Sequence, residues 1–128
     1  MLKDVQKLPN ENIIVVKYKA PFQPIEDIGE AQRQIAEILD AEGQTMYRID
    51  DLSQADMVWN QFVEGIAEAT KDVAGSMTDA RINGVLVGDY EMVELASKSM
   101  TQDQYGATSA PVFNSLDDAL AHARQNNV

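Results

Sequence analysis

"RINGVLVGDYEMVELASKSM", residues 81–100, decides how the chain is read. Its first half, "INGVLV", is apolar at nearly every position, the pattern of a strand covered on both faces. Its second half has helical spacing, and Gly88-Asp89 forms the corner between them. Such corners hold nucleotides or acid catalysts in many α/β proteins, and the residue types present discriminate. A dinucleotide loop needs G-x-G-x-x-G between strand and helix, and a phosphate loop ends in Gly-Lys-Ser/Thr. Here Gly84 and Gly88 bracket the strand, and no lysine follows before Lys98. The corner therefore reads as an exit from a sheet, with Asp89 placed to cap the next helix.

Outward from this corner, strands and helices alternate. "NIIVVKYK" (residues 12–19) is β-branched and bounded by prolines, which predicts a strand, paired as a hairpin with the preceding "KDVQKL". A helix follows, with Pro24 at its start, Glu26 and Asp27 at the positive end of its dipole and Gly43 as its stop. Ile25, Ile28, Ile35 and Leu39 recur along it at helical spacing. "QTMYRIDDL" (residues 44–52) alternates as a strand, and residues 54–71 read as a second helix. "DVAGSMTDA" is a loop, and a third helix covers residues 90–99. "APVFN" is a short strand, and "SLDDALAHARQ" is a last helix in which Ser115 and Asp118 resemble a capping box. The expected fold is one α/β domain over residues 1–128: a mainly parallel sheet of four to five strands, helices on both faces and an antiparallel edge from the hairpin.

Composition narrows the function classes. With 21 acidic and 10 basic residues the formal net charge is −11. That surface repels phosphate backbones and anionic lipid, so nucleic acid and membrane insertion are excluded as expectations. There is no cysteine, hence no disulfide, thiolate metal site or cysteine nucleophile. No apolar run approaches the ~20 residues of a membrane span, and the start lacks a signal-peptide core. A cytoplasmic protein is the expectation. No cofactor motif occurs, so none is expected, nor is a resident metal. The single histidine, His122, lies between alanines on the last helix and is expected to be solvated.

In a parallel sheet, ligands gather beyond the carboxyl ends of the strands. Asp50 and Asp51 close one strand and Asp89 closes another, so the three are expected at one pole. Clustered carboxylates hold Mg²⁺ or share a proton, whereas Asp89, and Asp51 or Ser53, at helix starts act as caps. Capping is the favoured reading, and no catalytic set is assigned. Met57, Trp59 and Phe62 form an apolar group near the same pole.

The segment "YRIDDLSQADMVW" resembles the strand-to-helix segment of STAS domains, the fold of bacterial anti-sigma-factor antagonists. "PVFNSLDDALAHA" is similar to the closing strand and helix of the SpoIIAA-like branch. Regulatory STAS domains follow that run with Asp-Ser-Ser/Thr-Gly, whose serine is phosphorylated; here the matching stretch is "MVWNQF", without a hydroxyl. The phospho-switch does not carry over. SpoIIAA-like proteins lacking it also resemble CRAL-TRIO-type lipid binders in fold, which makes Met57, Trp59 and Phe62 candidate pocket residues.

The resemblance implies a non-enzymatic STAS-like module acting through a protein partner or a small apolar ligand. Its weak ligand-binding candidates are Asp50, Asp51, Ser53, Met57, Trp59 and Asp89. The alternative is a Mg²⁺-dependent enzyme using the strand-end carboxylates. The second helix adds a further expectation. Its apolar positions sweep about half the circumference, more than the ~100° stripe that packing on one sheet needs. Trp59, Val63 and Ala67 form a row at i, i+4 and i+8 on the surplus edge, and the expected cover is a second copy, making a homodimer. The alternative cover is the 72–81 loop or the amino-terminal hairpin.

Overall fold

The computed structural model describes residues 2–126. Two antiparallel strands, β1 (Leu2–Lys7) and β2 (Ile13–Lys19), open the chain as the expected hairpin. Then follow α1 (Pro24–Glu42), β3 (Met46–Gln54), α2 (Trp59–Ala69), β4 (Ile82–Val87), α3 (Glu91–Met100), β5 (Val112–Phe113) and α4 (Leu116–Asn126). A short 3₁₀ turn at Asp103–Tyr105, which sequence pattern did not suggest, connects α3 toward β5. The sheet order is β1-β2-β3-β4-β5, and every pairing after the first is parallel. The protein is thus α/β with a mixed, mostly parallel five-stranded sheet and four α-helices.

This order explains the layers. Each parallel strand is added on the same side of the last, so crossovers of one hand carry α1, α2 and α3 to one face. Only α4, which leads to no further strand, packs on the other. The strands divide their side chains accordingly. Ile14, Val16 and Tyr18 of β2 join the core under α1–α3, while Ile13 and Val15 join Ile49, Val85, Val87, Ala119 and Ala123 under α4. The order never reverses, so there is no topological switch point, the crevice where open α/β sheets usually bind ligands.

Local signals hold at several ends. α1 begins at Pro24 and stops at Gly43 in the left-handed conformation, φ 68°. Ser115 Oγ accepts the Asp118 N–H (3.2 Å), capping α4. α2 departs from expectation: it begins at Trp59, not near Gln54. β3 runs on to Gln54 because Lys19 pairs with it and the Ala20 N–H donates to the Gln54 carbonyl (2.9 Å). Asp56 then takes φ 51°, which a right-handed helix cannot include. No helix among the described residues is long and apolar enough to cross a membrane.

Candidate functional site

β3 alternates, so Met46, Arg48, Asp50 and Leu52 face α1–α3, and Asp51 and Ser53 face the other way. Arg48 and Asp50 are thereby placed side by side inside the core, at 0% and 3% exposure. Arg48 Nε and Nη2 donate to the two oxygens of Asp50 at 2.8 and 2.9 Å. Nη1 donates to Gln32 Oε1 of α1 (3.2 Å) and to the Gly75 carbonyl (2.9 Å). The Tyr18 hydroxyl, from β2, donates to Asp50 Oδ2 (3.3 Å). A buried ion pair is tolerated when such bonds saturate it. Among the described residues no buried side-chain nitrogen or oxygen lacks a partner. Burial, the largest influence, acts to strip the Arg48 proton, but the charges of Asp50 and Tyr18 and their hydrogen bonds together outweigh it and hold the guanidinium charged. Burial first, and then Asp50, push the Tyr18 hydroxyl well above the usual tyrosine range. Neither the Arg48 guanidinium nor the Tyr18 hydroxyl gives up its proton near neutrality. The network ties β3 to β2, α1 and the α2–β4 loop, and sequence reading missed it although Arg48 shares the parity of Met46 and Leu52.

The strand-end acids do not meet as expected. Asp50 belongs to that network, on the opposite face from Asp51. Asp51 Oδ1 accepts from the Ser53 N–H (3.0 Å) and Ser53 Oγ (2.6 Å), so neither residue caps α2. The α2 N-cap is Val58, whose N–H donates to Gln61 Oε1 (3.0 Å). Asp89 does not cap α3 either: Tyr90 is its N-cap, without a side-chain cap. The charges of Asp56, Asp51 and Asp89 all act on Tyr90, whose hydroxyl donates to the Leu52 carbonyl (2.9 Å). Burial first, and then Asp56, Asp51 and Asp89, raise the Tyr90 hydroxyl above its ordinary range, against a bond from the Met57 backbone. Among the described residues no group of three or more His, Asp or Glu side chains is placed to hold a metal ion.

A cavity lies beneath α2 and α3, with Tyr18, Asp50, Met57, Phe62, Met77 and Met100 in its wall. Trp59 is not part of it. Its volume, about 40 Å³, compares with ~150 Å³ for a core cavity that admits benzene. As folded it has room for a few atoms. His122 is not simply solvated: its ring packs 5.0 Å from that of Phe113 and 5.9 Å from that of Tyr47.

The remaining candidates stand on the surface. Trp59 is the first residue of α2 and 57% exposed, with Val58 at 58% and Val63 at 43%; Ala67 continues the row, also exposed. A Cβ at Gly65 would touch Ile28 and Phe22, so that side of α2 faces α1. Trp59 and Val63 lie ~120–160° round from Gly65 and hence border α3. On α3, Ser97 Oγ donates to the Ala110 carbonyl ahead of β5. Leu95, 40% exposed, lies ~160° from Ser97, on the side toward α2. The row therefore flanks the α2–α3 seam. Neither expected cover reaches it. The 72–81 loop is drawn under α1, where Gly75 meets Gln32, and the hairpin forms the far edge of the sheet.

No protein-family model matches the chain, and neither a curated protein nor a solved structure matches it.

Proposed function

We propose that this protein is a non-enzymatic, STAS-like binding module whose working surface is the exposed apolar face at the α2–α3 seam. One observation carries the reading: the largest side chain of the protein, Trp59, stands 57% exposed beside Val58 and Val63. Exposed apolar groups gathered on one helix face mark contact surfaces in soluble proteins. The STAS-like part rests on the "DLSQADM" and "PVFNSLDDALAHA" segments together with the element order, a hairpin edge leading into a mostly parallel sheet. The volume of the internal cavity, about 40 Å³, favours docking over uptake of a small apolar ligand.

Trp59 is the one tryptophan of the chain, so its fluorescence reports on this surface directly. In the isolated protein, light scattering combined with emission and quenching by a soluble quencher is the test. An exposed, readily quenched Trp59 in a 14.1 kDa monomer leaves the surface open for another protein. Burial of Trp59 in a particle of twice that mass, reversed by Val63→Glu, assigns the surface to a second copy. A quench-resistant Trp59 in a strict monomer, or substrate turnover in a hydrolase and phosphatase panel, overturns the reading.

A further inference from the structure

We propose that the α2–α3 face docks a basic amphipathic helix of another protein, an inference that rests on the binding-module reading and names its partner by charge. The two segments that build the seam, residues 49–70 and 82–100, contain one basic residue, the exposed Lys98 in the last turn of α3. Asp56, Glu64, Asp89, Glu91 and Glu94 are all exposed on them. Lys71, just beyond α2, is engaged by Glu68 at 3.0 Å. An apolar row with a rim mainly of one sign selects partners of the opposite sign. The same rim disfavours a second copy. A twofold contact sets each patch against its own copy, so the mainly acidic rim of one chain would approach that of the other, on chains that each carry −11.

The shape indicates a helix. Trp59, Val63 and Ala67 run along one helix at i, i+4 and i+8, with Leu95 on its neighbour. A partner helix laid along such a seam presents apolar anchors at i, i+3/i+4 and i+7, with its charged flanks over the two rims. Trp59, large and amphipathic, is the residue type that dominates such contacts.

The test uses two helical peptides without tryptophan, with leucines at identical i, i+3, i+4 and i+7 positions. One carries lysine at all other positions and its counterpart carries glutamate. The lysine peptide is expected to shift Trp59 emission to the blue. Its affinity should fall several-fold as ionic strength rises past about 0.15 M, where the screening length is about 8 Å. The glutamate peptide should leave the emission unchanged. Combined Asp56→Asn, Asp89→Asn and Glu91→Gln should weaken the lysine peptide at least tenfold, whereas Val63→Ser should weaken it without changing its salt dependence. Equal binding of both peptides overturns the charge assignment and leaves the docking surface standing. Binding of neither, with a native particle of twice 14.1 kDa, gives the surface to a second copy and overturns the proposal. Binding of neither by a monomer overturns it as well.

Discussion

Two regions of this molecule invert the usual rule of polarity. Beneath α1 and α2 the core holds a full ion pair, Arg48–Asp50, at 0% and 3% exposure. A helix away, the only tryptophan stands more than half exposed. The inversions are of different kinds. Inside, every polar demand is met: Asp50 accepts three hydrogen bonds, and each nitrogen of the Arg48 guanidinium donates at least one. Outside, the apolar demand is only partly met: the Trp59 ring packs 5.1 Å from that of Phe62, yet among the described residues nothing covers the exposed parts of Trp59 and Val63. A satisfied anomaly is a structural device, whereas an unsatisfied one is open to a partner, and for that reason the function we propose is placed on the surface.

The largest expected effect breaks the satisfied side. Arg48→Met leaves the Asp50 carboxylate buried with only Tyr18, which should cost about 3–5 kcal/mol in denaturant unfolding. Arg48→Met combined with Asp50→Leu should recover most of that loss. A single-variant cost below about 1 kcal/mol would mean water reaches the pair and the core is not closed there.

Gly75 comes next. Its carbonyl takes a bond from Arg48, its φ is 86°, and an added Cβ would stand 2.3 Å from the Gln32 carbonyl oxygen. Gly75→Ala should therefore cost about 2–4 kcal/mol, from the left-handed backbone and the overpacking together. A neutral result would show that the loop moves off α1 freely.

Asp79 supports that loop from outside. Side-chain bonds from Arg81 are the main reason its carboxyl falls from the ordinary 3.8 to about 2, with backbone bonds from Gly75 and Arg81 adding to them. A folded-state pKa below the unfolded one stabilises above about pH 4, and that stability is lost as pH falls toward 2. Arg81 is 37% exposed, so after solvent screening the expected contribution is about 1 kcal/mol. The stability difference between the native protein and Asp79→Asn, followed by thermal melts, should shrink across that window. A constant difference would rule out the ionic origin.

On the unsatisfied side the stability effects should be smallest. Val63→Ser should change unfolding free energy by less than about 0.5 kcal/mol while weakening docking. A larger cost would reclassify Val63 as core and remove the contrast. Asp89→Ala belongs to the same class: a true cap would cost about 1 kcal/mol, but Tyr90 holds the cap position, so calorimetry should find almost nothing.

The elements were legible where local chemistry is strong. "IIVVKYK" is apolar at both parities, which requires cover on both faces, and the sheet has it. Pro24 and Gly43 mark the ends of α1 because one has a preset φ and the other tolerates a positive one. The start of α2 was not legible, since it depends on Lys19 and Ala20 engaging Gln54, 35 and 34 residues away, and on the positive φ of Asp56. The site was legible by halves. Period two places Asp50 and Asp51 on opposite faces of the sheet, and that rule alone argues against a joint site for them.

By itself the sequence determined the α/β alternation, the antiparallel edge, the acidity of the α2 and α3 segments and an apolar arc on α2 too wide for one sheet. These follow from periodicity and composition, which act locally along the chain. Tertiary structure alone decided that Arg48 meets Gln32 and Gly75, that the charges of Asp56, Asp51 and Asp89 all act on Tyr90, and that among the described residues nothing folds over Trp59. Each of those depends on which elements become neighbours in space. Strand order sets that, and because each crossover carries its helix to the same face, α2 and α3 lie side by side with their seam open to solvent.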